Sequence, residues 1–424
     1  MRTPWWITGS WVLSFTGCGP TPGDAETGSS DEGGPTDDAS GETGVPTSEG
    51  PLTTATTTAS DTGPATSETG EATSEASDDD ATTAGETGVV PAGCEVVDIP
   101  DSSLRAQIRE ALALPEGPIT GEAMAALTQL SVSGHDVKSL VGIECAVGLE
   151  GLSVGDGDYL PISSDLPLIG GLPKLERLKL RYTSVSDLTP LAGTTTLREL
   201  DLEYTKVSDL TVLVGLSQLR VLNVNETDVG DLTPLAGLSL LEEVHAGDTK
   251  VVDLTALVGL PELRQLSLYW TDVADLAPLA GLGKLELLNL DSTAITDLGP
   301  LAGLGGLQVL AISGTAIADL SPLTGLPITG LHASWCQIVD ITPIASFPTP
   351  GRLDLSYNQI VELDALAGVD WFVEDDSCGE LILSGNPLGI PALETIPTFC
   401  TQTRVFAGGL DVPCMGALKC PDTY

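Results

Sequence analysis

From Leu127 to about residue 390 the chain repeats one arrangement of apolar and polar positions. Its clearest copies are "LRELDLEYT" (Leu197 to Thr205), "LRQLSLYWT" (Leu263 to Thr271) and "LELLNLDST" (Leu285 to Thr293). The L-x-L core alternates, so each copy predicts one short strand with its leucines on one side and polar residues on the other. A second phrase follows within each copy: "DLTPLAGL" starts at Asp231, and Asp187, Asp209, Asp253, Asp275, Asp297 and Asp319 open its near-copies at 22-residue steps. Asp340 then comes after 21 residues and Glu362 after another 22. Aspartate with proline and a closing glycine predicts a tight turn or one helical turn on the opposite side from the strand. No such unit can bury its own leucine face, but a stack of them can.

The repeated Asp has a structural reading and a metal-binding one. Its side chain can accept from the amide two residues on, and stacking places equivalent carboxylates about 4.8 Å apart. The chain lacks the G-G-x-G-x-D repeat that builds calcium columns, so the Asp is read as punctuation. A polar column runs inside the stack: Thr183, Thr205, Thr227, Thr249, Thr271, Thr293 and Thr315, continued by Cys336, Asn358 and Asn386. These groups are expected to satisfy backbone atoms where the chain leaves the strand, with Cys336 a buried replacement for Thr.

The period and phrase match the leucine-rich repeat, and in detail they resemble the 22-residue repeats of internalins, bacterial surface proteins. The flank "IPDSSLRAQIREALALPEGPITGEAMAALTQLSV" is similar to the helical cap that precedes internalin repeats, with Leu104, Ile108 and Leu112 at helical spacing and Thr120 as a cap. Further repeats start at Leu127 and Leu149, the latter lengthened by four residues around "GDGDYLPISS". The resemblance implies an α/β repeat solenoid with a parallel concave sheet and short helical or 3-10 turns on the convex side. It says little about function.

Composition changes sharply before the repeats. Residues 1–17 read as an export signal of lipoprotein type: Arg2, a short apolar run, then "FTGC", in which Gly17-Cys18 resembles a bacterial lipobox. Cys18 is the expected lipidation site, with an ordinary cleaved signal as the alternative. That places the protein at the outer membrane or cell surface, or on the periplasmic side. Residues 18–92 form a Thr/Ser/Gly-rich segment; from Gly19 to Ala92 it carries 16 acidic residues and no Lys or Arg. It has too little apolar surface to offset its ordering entropy, so it is expected to be a disordered tether, roughly 50 Å in root-mean-square span. Residues 93–126 are the helical cap, 127–390 the repeats and 391–424 a C-terminal cap.

With 60 acidic and 17 basic residues, the net charge of −43 argues against nucleic-acid binding. Cys94 and Cys145 flank the N-terminal cap, and Cys378, Cys400, Cys414 and Cys420 crowd the other end. In an exported chain this distribution points to disulfide-stapled caps. Cys94–Cys145 is the natural pair. At the C-terminal end three connectivities are open, with Cys378–Cys400 and Cys414–Cys420 preferred and a zinc site as the alternative.

No catalytic constellation, cofactor motif or phosphate-binding glycine loop is present in the sequence. His245 and His332 occupy one strand column four repeats apart and are read as surface residues of the sheet. The chain is therefore read as a monomeric, non-enzymatic binder of a protein or glycan without a cofactor, with a structural envelope spacer as the alternative. Aromatics are scarce, yet Tyr182, Tyr204, Trp270, Trp335 and Tyr357 share one outward column, and Tyr269 adds a ring next to Trp270. These six are the candidate ligand-binding residues of the concave face, with Arg177, Lys179 and Arg181 forming a small basic patch nearby.

Overall fold

The computed structural model describes residues 91–155, 160–367, 369, 379–390, 392 and 403–407. Cys18, the acidic segment and Cys378, Cys400, Cys414 and Cys420 lie outside the described residues.

Each repeat contributes one strand to a single 13-stranded sheet whose strands follow one another in chain order, from Gln129–Val132 to Thr403–Phe406. All neighbours are parallel and pair residue on equivalent residue: Leu178 on Leu200, Leu200 on Leu222, Leu222 on Val244. The 22-residue phrase therefore becomes the register itself. In one turn of the stack, Leu197, Leu200, Leu202, Val207, Leu210, Leu213 and Leu216 are all at most 1 % exposed. They form one continuous leucine core with their equivalents above and below. The strand at Thr403–Phe406 extends the sheet into the segment assigned from sequence to the C-terminal cap.

The turn side uses 3-10 helix, as at Thr189–Leu191, Thr233–Leu235 and Ser321–Leu323, each with Pro near its start. Pro at that position gives up an amide that a helix start leaves unbonded anyway. Every Asp of the column from Asp187 to Asp340 accepts from the amide two residues on; Asp187 takes Thr189 N at 2.8 Å and Asp340 takes Thr342 N at 2.8 Å. Hydrogen bonds from that next-but-one residue hold the carboxyls of Asp187, Asp209, Asp253 and Asp319 below the usual carboxylate range. The column is punctuation, and among the described residues no group of His, Cys, Asp or Glu could hold a metal ion.

The inner polar column satisfies backbone carbonyls as expected. Thr183 Oγ1 donates to Leu180 O at 2.7 Å, and Thr205, Thr227, Thr271, Thr293 and Thr315 repeat the bond three residues back. Cys336 is a buried free thiol whose Sγ donates to Ile312 O of the preceding repeat at 3.1 Å, and burial pushes its thiol up.

At the N-terminal end, α1 (Ser102–Ala111) is capped by Asp101, whose Oδ1 accepts from Ser103 N and Leu104 N. The other oxygen of Asp101 accepts from Lys138 N at 2.8 Å, tying the cap to the first repeat. The short α2 (Gly121–Ala125) is capped by Thr120, and Cys94 is bonded to Cys145 across the cap. No helix among the described residues is long and apolar enough to cross a membrane.

Candidate binding face

Since the leucines point inward, the residues between them line the outer face of the sheet. The three strand positions there are followed by a fourth, at the first bend out of the strand. That fourth position carries Tyr182, Tyr204, Glu226, Asp248, Trp270, Ser292, Gly314, Trp335 and Tyr357, all with φ between 49° and 71°. The backbone is left-handed at this point in all nine of these repeats. Its amide donates sideways, Tyr182 N to Glu203 O and Trp270 N to Asp291 O, so the side chain is turned away from the core.

Five of the six sequence-selected aromatics thus sit on one row. Trp270 and Trp335 are each 63 % exposed, Tyr357 47 % and Tyr204 41 %. Four of the rings are paired at the two ends, and Trp270 stands alone in the middle. Tyr182 stacks on Tyr204 with centroids 4.5 Å apart, and Trp335 stacks on Tyr357 at 4.0 Å. Between Trp270 and Trp335 the row carries only Ser292 and Gly314.

Tyr269 does not stand next to Trp270 as a second exposed ring. It is half-buried and lies over the neighbouring repeat, where a Cβ on Gly247 would meet its Cε1 at 2.2 Å. Burial, followed by the charges of Glu226 and Glu203, raises its hydroxyl pKa. Gly247 is what lets the ring lie flat. His245 also departs from the surface reading, being only 6 % exposed with its Nε2 3.6 Å from Glu243 Oε2. Its neighbours across the sheet are Asn223 and Ser267, set close on either side by the strand spacing. His332 is half-buried, and burial lowers its pKa.

The basic patch is largely neutralised by the next repeat. Lys179 pairs with Glu199 at 2.7 Å, and Arg181 Nε reaches Asp201 at 2.5 Å and Glu203 at 3.3 Å. Arg177 lines a shallow depression of 360 Å³ with Ser131, Ser153 and Gly151.

Two acidic features escaped sequence reasoning. Glu226 and Asp248 are neighbours in the aromatic row; burial, then a hydrogen bond and repulsion from Asp248, raise Glu226 to about 7. Their membership of the row was readable from the 22-residue phrase, but their mutual contact was not. Asp291 is 9 % exposed and pushed up to about 6 by burial, although it accepts from Ser313 N at 2.6 Å.

Asp291 sets a pH dependence. Its folded pKa lies above the usual 3.8, so the fold favours the protonated acid. Its contribution is fully present below pH 3.8 and is lost as pH rises through 6. Between pH 4.5 and 7.5 this loss amounts to about 2 kcal/mol. Urea unfolding at the two pH values is expected to show Asp291→Asn reducing the difference by about that amount. An unchanged difference would show that Asp291 is solvated.

No family model matches the chain, and neither does any curated protein sequence. Solved structures do. The internalin InlF of Listeria monocytogenes is 30 % identical with a TM-score of 0.68, over 76 % of this chain and 93 % of that one. Internalin C2 of the same species is 30 % identical over 50 % of this chain and 94 % of that one, with a TM-score of 0.48. A plant peptide hormone receptor, RGFR1 in complex with RGF2, is 16 % identical with a TM-score of 0.54, over 68 % of this chain and 49 % of that one, a likeness of fold alone. At 30 % identity over 93 % of InlF, the chain belongs to the internalin family.

Proposed function

We propose that the protein is a non-catalytic recognition module that binds a protein partner through the outer face of its sheet. The observation that carries this is the row of exposed Tyr and Trp at left-handed positions. A bulky side chain there works against local backbone preference by about 1 kcal/mol, and Gly314 in the same row shows what the fold alone would accept. Rings retained against that cost, and exposed rather than packed in the core, suit recognition: Tyr and Trp give large contact area with little entropy to lose.

In this reading the protein is exported, with Cys18 as its lipid anchor and the acidic segment as a tether that holds the repeats away from the membrane. The reading is tested by capturing a partner with the immobilised full chain and measuring its affinity for variants. Trp335→Ala is expected to weaken binding by about 2 kcal/mol, while Thr233→Ala on the turn side leaves it unchanged. Equal affinity for wild type and Trp335→Ala would remove the sheet face as the site. Capture of a glycan instead of a protein would overturn the partner class. A chain that captures nothing saturable would favour a spacer role.

A further inference from the structure

The middle of the aromatic row differs chemically from its ends. Over four consecutive repeats it runs Tyr204, Glu226, Asp248, Trp270, spanning about 14 Å at the strand spacing. Two carboxylates therefore lie between two exposed rings. Beside Trp270 a depression of 410 Å³ is lined by Thr249, Trp270, Thr271, Asp272 and Ser292, so a third acidic residue shares it with the indole. Three cations near this stretch are engaged with other acids: Lys179 with Glu199, Arg181 with Asp201 and Glu203, and Lys250 with Asp228. Glu226, Asp248 and Asp272 are not the acids these residues neutralise.

An indole face bordered by carboxylates is an attractive site for an organic cation, because the ring quadrupole and the carboxylates act with the same sign. A metal ion is a poorer occupant, since no group of three ligating residues forms among the described residues. The chain's own acidic segment is excluded by charge, with 16 acids and no base, and residues 91–424 carry 44 acidic against 16 basic residues. Complementarity calls for a basic partner, and the ring geometry calls for a guanidinium or ammonium head on a flexible stem.

We propose that the stretch from Tyr204 to Asp272 receives an arginine or lysine side chain of a basic protein partner, seated on Trp270 between the Glu226–Asp248 pair and Asp272. The assignment rests on the sheet face being the binding surface. It adds what the partner must present there. The two stacked pairs, Tyr182 on Tyr204 and Trp335 on Tyr357, are then left for apolar or backbone contacts on either side.

The test uses the full chain and two labelled peptides, (Gly-Arg)4 and its neutral isostere (Gly-citrulline)4, titrated at 0.15 M salt and read by fluorescence anisotropy. The arginine peptide is expected to bind saturably and at least tenfold more tightly than the citrulline peptide. Trp270→Ala, and the double variant Glu226→Gln/Asp248→Asn, are each expected to weaken it about tenfold. Asp231→Asn/Asp253→Asn neutralises the same number of carboxyl groups on the turn side and is expected to stay within twofold of wild type. If the two double variants bind alike, or if Trp270→Ala binds as wild type does, the attraction is only that of net charge and the site is refuted. No saturable binding to the wild type refutes it as well. Should the peptide fail while a captured partner still loses affinity on Trp335→Ala, the sheet-face reading survives and only the cation seat falls.

Discussion

Asn358→Ala is expected to destabilise the protein by about 3–4 kcal/mol, more than removal of any threonine in the same inner column. The asparagine is 6 % exposed and does what a threonine cannot. Its Nδ2 donates to Leu355 O at 3.0 Å in its own repeat and to Ala333 O at 2.7 Å in the preceding one, and its Oδ1 accepts from Ile338 N at 3.1 Å. Truncation deprives buried backbone groups of two repeats of these bonds at once, and each such group left unpaired costs about 1–3 kcal/mol. Thr205 makes one inner bond, to Leu202 O at 2.7 Å, so Thr205→Ala should cost about 1 kcal/mol. Urea unfolding compares the two. Because a repeat stack can open locally, hydrogen exchange at Ile338 and its neighbours should show the added loosening concentrated there. If Asn358→Ala costs no more than Thr205→Ala, the cross-repeat bonds contribute nothing.

The fold was legible because a solenoid writes its register into its period. Once Leu200 and Leu222 are seen to be 22 residues apart, their pairing follows, and so does the sharing of one row by Tyr182, Tyr204 and Trp270. The Asp231 turn and the Thr205 bond were legible for the same reason, since each acts within three residues. Side-chain direction at the sheet face was not. Whether Tyr269 stands up or lies down depends on what the next repeat places beneath it, and Gly247 is a matter of tertiary packing. The burial of His245 and Asp291 has the same origin: neighbouring strands cover polar groups that alternation alone assigns to solvent. The left-handed backbone of the aromatic row was signalled only by Gly134, Gly314 and Gly385 at its glycine-bearing copies, a cue visible once the columns are aligned.

Replacing both exposed tryptophans by glycine is expected to reduce partner binding about a thousandfold and leave the fold intact. Each anchor contributes about 2 kcal/mol when truncated, and every 1.4 kcal/mol is a factor of ten. Trp270 and Trp335 stand three repeats apart, about 14 Å, far enough for their losses to add. Stability changes by less than about 1 kcal/mol at either site. At Trp270, φ is 55°, a conformation a non-glycine residue enters at a cost of about 1 kcal/mol, and glycine relieves it. Part of that gain is lost to the greater freedom of glycine in the unfolded chain, so Trp270→Gly should be neutral to slightly stabilising. At Trp335, φ is 53° and the same relief applies, but its stack on Tyr357 at 4.0 Å is lost, removing about 1 kcal/mol. These two terms cancel, and the freedom of glycine in the unfolded chain leaves Trp335→Gly destabilising by about 0.5 kcal/mol. Urea unfolding of both single variants and the double variant, set beside the affinity of each for the captured partner, separates the effects. A double variant that unfolds early would mean the rings serve the fold; one that is stable yet binds like wild type would mean they serve neither fold nor partner.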